Sequence, residues 1–180
     1  MHNLVITAIG TDRPGICNRI TQVVTQANCN IIDSRIAIFG NEFSFIMLVS
    51  GEASSITRVE TLLPVMSSDQ DLMMVMKRTT PHQPPSYTYK VDMKIEAEDK
   101  IGLIDAFTRF FSERNINISE LSARTQYSTL DTQDNNQNLF IIAMAGLSKD
   151  SPVPDDLEAD FSQLCQDLSV TGSIDITYQN

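Results

Sequence analysis

Positive charge is scarce in this 180-residue chain, with 13 Lys and Arg against 23 Asp and Glu and a formal charge of -10. A surface that binds DNA unaided concentrates basic residues to displace counterions from the phosphates. Here the only adjacent basic pair is Lys77-Arg78, at a strand end where such pairs are usually solvated. Direct nucleic-acid binding is therefore not expected, and any influence on transcription has to pass through another protein. Cysteine is equally sparse. Cys17, Cys29 and Cys165 are odd in number, widely spaced and without partners at metal-ligand spacing, which speaks against a disulfide framework and a zinc site. Of the histidines, His2 is near the start and His82 sits among prolines, neither beside a Ser or Cys elbow. No catalytic constellation emerges, so an enzyme is not expected. No apolar run approaches the ~18 residues of a membrane span, and no basic-then-apolar leader opens at Met1-His2-Asn3-Leu4. These absences together predict a cytoplasmic protein with reduced thiols, no membrane partner and no cofactor.

What the chain has is an ordinary globular mixture, 42% hydrophobic and 20% charged, enough for a real core. Its most informative property is internal repetition. Leu4 to Ile9 reads as a strand, ended by Gly10-Thr11-Asp12-Arg13-Pro14-Gly15. From Ile16 to Asn28 the residues Ile16, Ile20, Val23, Val24 and Ala27 recur at helical spacing. Two β-rich runs, Asn30 to Phe39 and Glu42 to Ser50, flank Gly40-Asn41, a pair able to take the positive φ values of a tight hairpin. Ser54 or Ser55 can cap a second helix to about Met66, with Ile56, Val59, Leu62 and Leu63 inward, before a strand at Leu72 to Lys77.

The order βαββαβ then recurs. A strand near Tyr89 to Ala97 leads through Glu98-Asp99-Lys100-Ile101-Gly102 into a helix from Leu103 to Asn115. Strands follow near Asn117 to Gln126 and Leu139 to Ala145, then a helix from about Asp155 to Leu168 and a strand at Ser173 to Tyr178. Asp12 and Gly15 align with Asp99 and Gly102, and Asn30-Ile31 with Asn117-Ile118, all at one offset, as a duplicated domain requires. The second copy carries a longer polar loop, Tyr127 to Asn138, where insertions at hairpin tips belong. The expected organisation is a first domain at 1–79, a proline-stiffened linker at 80–86 and a second domain at 87–180. The fold class is α+β: two ferredoxin-like units, each an antiparallel sheet with both helices on one face.

In such a unit the uncovered sheet face should be polar. Several strands do not alternate. Phe43, Phe45, Met47 and Val49 fall on one side of their strand and Ile46 and Leu48 on the other, and Met73-Met74-Val75-Met76 is apolar on both. Something must cover the second face; the sister domain and a second protomer are expected before a foreign partner, and core packing is favoured over an adaptable methionine surface.

The turn Asp12-Arg13-Pro14-Gly15-Ile16 joins a strand end to a helix start, where unpaired N–H groups and the helix dipole attract a carboxylate. Gly15 would let a ligand approach, and the Asp12 carboxylate could pair with an ammonium group. A free amino acid would find a partner for each charged end. The plainer alternative has Asp12 capping the helix, Pro14 setting its first turn and Gly15 permitting the geometry. Asn30, with Ile31 and Asp33 on the following strand, could complete a site where two such domains meet; a turn-forming role for Asn30 is equally open. The second turn keeps Asp99, Gly102 and Leu103, with Asn117 and Ile118 beyond it, but lacks the proline.

This plan, with Asp12-Arg13-Pro14-Gly15-Ile16, resembles the ACT domains, which bind amino acids or other small ligands and usually work in pairs. More specific are Asp33-Ser34-Arg35, Glu42-Phe43, Phe45-Ile46-Met47-Leu48, Met74-Val75-Met76-Lys77-Arg78-Thr79-Thr80, Asn117-Ile118-Ser119-Glu120-Leu121 and Arg124-Thr125-Gln126. With these the chain resembles the tandem-ACT glycine cleavage repressors over nearly its whole length. That resemblance implies a homo-oligomeric regulator that contacts a LysR-type transcriptional activator, with glycine or another small amino acid as effector. A regulatory subunit of some metabolic enzyme, sensing an amino acid through the same site, is the other reading. ACT domains also precede hydrolases such as formyltetrahydrofolate deformylase, for which this chain leaves no room.

Overall fold

The computed structural model describes residues 1–80, 86–126, 139–149 and 154–178. It divides into two compact units, Met1–Gln83 and Pro84–Asn180. Most of the expected linker, residues 81–85, and the polar loop at 127–138 lie outside the described residues.

The first unit runs β1 (His2–Thr11), α1 (Ile16–Gln26), β2 (Asn30–Phe39), β3 (Glu42–Gly51), α2 (Ala53–Asp69) and β4 (Met73–Thr79). Its antiparallel sheet has the order β2-β3-β1-β4. The second unit repeats this with β5 (Tyr89–Glu98), α3 (Leu103–Glu113), β6 (Asn117–Gln126), β7 (Leu139–Ser148), α4 (Pro154–Leu168) and β8 (Thr171–Tyr178), in the order β6-β7-β5-β8. The ferredoxin-like βαββαβ plan is thus present twice. Even the irregularity is duplicated: β2 carries a bulge between Ile31 and Asp33, and β6 one between Ile118 and Glu120. Each inserts one residue, so the strand's side chains change face just after the aligned Asn-Ile pair.

Register decides which residues share a face, because directly paired residues point the same way. Leu4, Ile6 and Ala8 of β1 stand beside Val49, Met47 and Phe45 of β3. All six are buried, in one core with Ile16, Ile20 and Val24 of α1 and Ile56, Val59 and Leu63 of α2. In the second unit Val91, Met93 and Ile95 pack with Phe107 and Phe111 of α3 and Phe161 of α4.

Several details differ from the sequence reading. Leu62 is 39% exposed rather than inward, since it flanks the stripe centred on Val59 and Leu63. Neither Ser54 nor Ser55 caps α2; the N-cap is Glu52, and Ser55 is buried inside the first turn. At the hairpin only Gly40 has positive φ (62°), so Asn41 does not share that role. Arg78 is more than a solvated strand end. Its Nε and Nη2 donate to the two carboxylate oxygens of Glu60 at 2.8 and 2.6 Å, joining β4 to α2.

Candidate functional site

β1 delivers the chain to the start of α1 through a turn held at three points. The Asp12 N–H donates to the Asn41 carbonyl at 2.9 Å, fastening the turn to the β2–β3 hairpin. The Arg13 guanidinium donates to the Gln70 carbonyl and, at 3.1 Å, to Gln70 Oε1, fastening it to the end of α2. The Ile16 N–H closes back on the Arg13 carbonyl at 3.3 Å. Arg13 is thereby engaged in holding the fold together, a role the sequence did not reveal because Gln70 is remote in the chain.

Gly15 is the N-cap of α1, with φ 88° and ψ -6°, and no side chain caps the helix. This corrects two readings. Asp12 is not the cap, and Pro14 precedes the helix instead of opening its first turn. A Cβ at Gly15 would meet nothing within 4 Å of the protein, so within the fold itself what requires glycine there is the left-handed backbone. The result is a helix start with no acidic residue in its first turn and no capping oxygen, next to the exposed Asp12. Cys17 records that carboxylate: burial raises its thiol pKa most, and the negative charge of Asp12 raises it further. First-turn N–H groups beside a carboxylate are the two halves of a zwitterion site.

The second turn repeats the backbone but not the electrostatics. Gly102 caps α3 with φ 96° and ψ -6°, leading directly into buried Leu103. Asp99 is exposed and accepts a long contact from Thr125 Oγ1 at 3.5 Å. Asp105, however, lies in the first turn of α3, where its charge competes for the positive end of the helix. It is paired with Arg109 at 2.6 Å. The sequence reading missed Asp105; its position two residues past Leu103 was the available signal.

Asn30 and Ile31 are not brought to the Asp12 turn. Asn30 pairs with Ser50, which pairs with Asn3 at the beginning of β1, whereas Asp12 follows Thr11 at its end. At about 3.4 Å per residue the two lie about 30 Å apart along the sheet. Asn117 and Ile118 are likewise level with the far end of β5, paired with Leu147 and Gly146. Asn30 and Asn117 are the first residues of β2 and β6, not turn formers; the left-handed residues there are Asn28 and Asn115. Asp33 faces away from the helices beside Leu48 and is ion-paired with Arg35. Within one unit the candidate residues therefore form two separate groups, the turn and the β2 start.

The ACT domain family profile matches residues 2–77. Over 175 residues the chain is 41% identical to the glycine cleavage system transcriptional repressor of Escherichia coli (strain K12), covering 97% of this chain and 90% of that protein. The chain belongs to this repressor family. The Shigella flexneri repressor gives the same identity and coverage. A crystal structure of a protein assigned as a glycine cleavage system transcriptional repressor superposes with a TM-score of 0.70 at 46% identity, covering 99% of this chain and 98% of that one. A Galdieria sulphuraria protein, 20% identical with a TM-score of 0.71 over 99% of both chains, shares the fold. As a member of the repressor family the chain is a regulatory protein built on ACT units. Among its described residues no helix is long and apolar enough to cross a membrane.

Proposed function

We propose that this protein represses transcription of a glycine cleavage system by contacting a LysR-type activator, and that glycine relieves the contact. The observation that carries this reading is end-to-end similarity to a named repressor, 41% identity over 97% of the chain. The charge of -10 favours the same mechanism, because an acidic protein can engage a DNA-bound activator without competing for phosphate. Glycine suits the α1 start on chemical grounds. Its carboxylate matches the first-turn N–H groups and its ammonium matches Asp12, while the absence of a side chain asks for no pocket. The turn and Asn30 stand at opposite ends of one sheet, so within one unit the proposed glycine site rests on the turn without Asn30.

The test is affinity capture from a cell extract by the full chain, with and without glycine. A LysR-type activator recovered without glycine and released by it is the expected result. Recovery of a metabolic enzyme and no regulator would replace this reading with the other one, an amino-acid-sensing regulatory subunit.

A further inference from the structure

The bonds that close α2 and α4, from the Leu72 N–H to the Ser67 carbonyl and from the Val170 N–H to the Cys165 carbonyl, set the two helices in register residue for residue. In that register Asp156, Asp160, Gln163 and Asp167 of α4 take the places of Arg58, Leu62, Val65 and Asp69 of α2. The row has become acidic, and α4 carries no Lys, Arg or His at all.

Asp160, Gln163 and Asp167 edge an open groove of about 300 Å³ between α3 and α4, floored by Ala106, Phe110 and Leu164. Aromatic side chains account for it. Phe107 and Phe110 of α3 each meet Phe161 of α4, with ring centroids 6.1 and 6.0 Å apart, where the first unit has Ile20, Val23 and Leu63. The rings stand between the helices, and α3 and α4 approach each other less closely than α1 and α2. At one end the Arg114 guanidinium, 3.9 Å from the Phe110 ring centroid, crosses to Asp160. This bridge joins the end of α3 to the first half of α4, so the helices run antiparallel and Ala106 lies level with Asp167 at the other end.

The walls decide the shape of an occupant. Helices offer no free backbone for an extended peptide to pair with, whereas a third helix satisfies its own backbone and seats its side chains between the ridges of the two. From Ala106 to Arg114 the groove is about 12 Å long at 1.5 Å per residue, two turns, which takes apolar anchors at i and i+4. The acids decide the sign. Arg109 and Arg114 are already paired with Asp105 and Asp160, while Asp167 accepts from the neutral Gln163 amide at 2.8 Å and from no cation among the described residues. A second copy of this chain does not supply the complement, since none of its four helices contains more than one basic residue. We propose that the α3–α4 groove receives a basic amphipathic helix of a partner protein, with two apolar side chains on Phe110 and Leu164 and lysines or arginines against the acidic row of α4. This assignment goes beyond the regulatory role above and does not depend on it.

The experiment is fluorescence anisotropy of a labelled, Ala-rich helical peptide of about 18 residues, with Leu at i and i+4 and Lys on either side, titrated with the full chain. Companion peptides replace the lysines by Glu or the leucines by Ala. The lysine–leucine peptide should bind about tenfold more tightly than either. Asp167→Lys should weaken it several-fold, whereas Asp69→Lys, at the matching place on α2 and with the same change of net charge, should leave it within about twofold. The glutamate peptide should bind Asp167→Lys more tightly than it binds the parent, a gain that misfolding does not produce. Equal weakening by Asp69→Lys would mean attraction to the acidic chain as a whole and would overturn the proposal, as would an alanine peptide that binds as well or a lysine–leucine peptide that does not bind. A chain whose sedimenting mass halves on Asp167→Lys would give the groove to a second copy and overturn it too.

Discussion

Gly15 and Gly102 hold the same backbone conformation, φ 88° and 96° with ψ -6° in both, at the same point of two diverged units. The side chains around them have changed, but the left-handed step from strand to helix has not. A Cβ at either glycine meets nothing within 4 Å, so the cost of adding one is purely conformational. Gly15→Ala and Gly102→Ala should each destabilise the protein by about 1 kcal/mol, and Gly15→Asn by less, since asparagine tolerates this region better. Urea titration followed by circular dichroism measures the difference.

The same glycines frame helix starts of unequal charge. Asp105 occupies the first turn of α3, whereas α1 has no acid there. Asp12→Ala should therefore weaken glycine binding more than Asp99→Ala, as read by calorimetry on the full chain. Asp105→Asn should strengthen any binding at the second turn. Equal losses from Asp12→Ala and Asp99→Ala would show that the two helix starts do not differ as ligand sites, and an absence of glycine binding to the parent chain would remove the ligand assignment altogether.

How far the sequence could be read follows from the range of its signals. The element order, the Gly40-centred hairpin and the apolar helix stripes are local patterns of period two and 3.6, and they appear in the structure within a few residues of where the pattern ends. The two bulges were not legible. An extra residue in β2 or β6 is defined only by its neighbour strand, and nothing about Ile32 or Ser119 announces it. The candidate site was half legible for the same reason. Asp12-Arg13-Pro14-Gly15 is contiguous, but the engagement of Arg13 by Gln70 and the distance from Asp12 to Asn30 depend on strand order.

Arg78 and Glu60 form a two-bond ion pair between β4 and α2. The hydrogen bond from Arg78 holds the Glu60 carboxyl below the usual glutamate range, against a smaller upward push from desolvation. A carboxyl whose pKa is lowered on folding contributes stability above its unfolded value and loses it as pH falls through the folded value. Glu60→Gln should thus lower Tm at neutral pH, and the difference should fade only as pH falls beneath the usual glutamate range and through the lowered folded value, where the parent carboxyl is itself protonated. The effect should be small and should shrink with salt, because both side chains are partly exposed. Thermal melts across pH 3 to 7 at two salt concentrations would show it, and a difference that persists unchanged at the acid end would point to lost packing instead.

Among the described residues each of the four helices is followed, within two residues, by a non-glycine residue in the left-handed region, Asn28, Asp71, Asn115 and Ser169, with φ between 53° and 61°. Each is followed by an N–H that reaches five residues back: Cys29 to Val24, Leu72 to Ser67, Ile116 to Phe111 and Val170 to Cys165, at 2.9 to 3.1 Å. This bond satisfies a carbonyl the helix leaves open, and it obliges the preceding residue to take positive φ. Glycine is the usual occupant, asparagine the next best, and serine bears the larger strain. Ser169→Gly should accordingly stabilise the protein by about 0.5 to 1 kcal/mol, while Asn28→Gly should be nearly neutral, the relief of strain being offset by the greater freedom of glycine in the unfolded chain. Urea midpoints of the two variants against the parent separate these outcomes. A Ser169→Gly protein no more stable than the parent would mean that the serine carries no strain at this helix end.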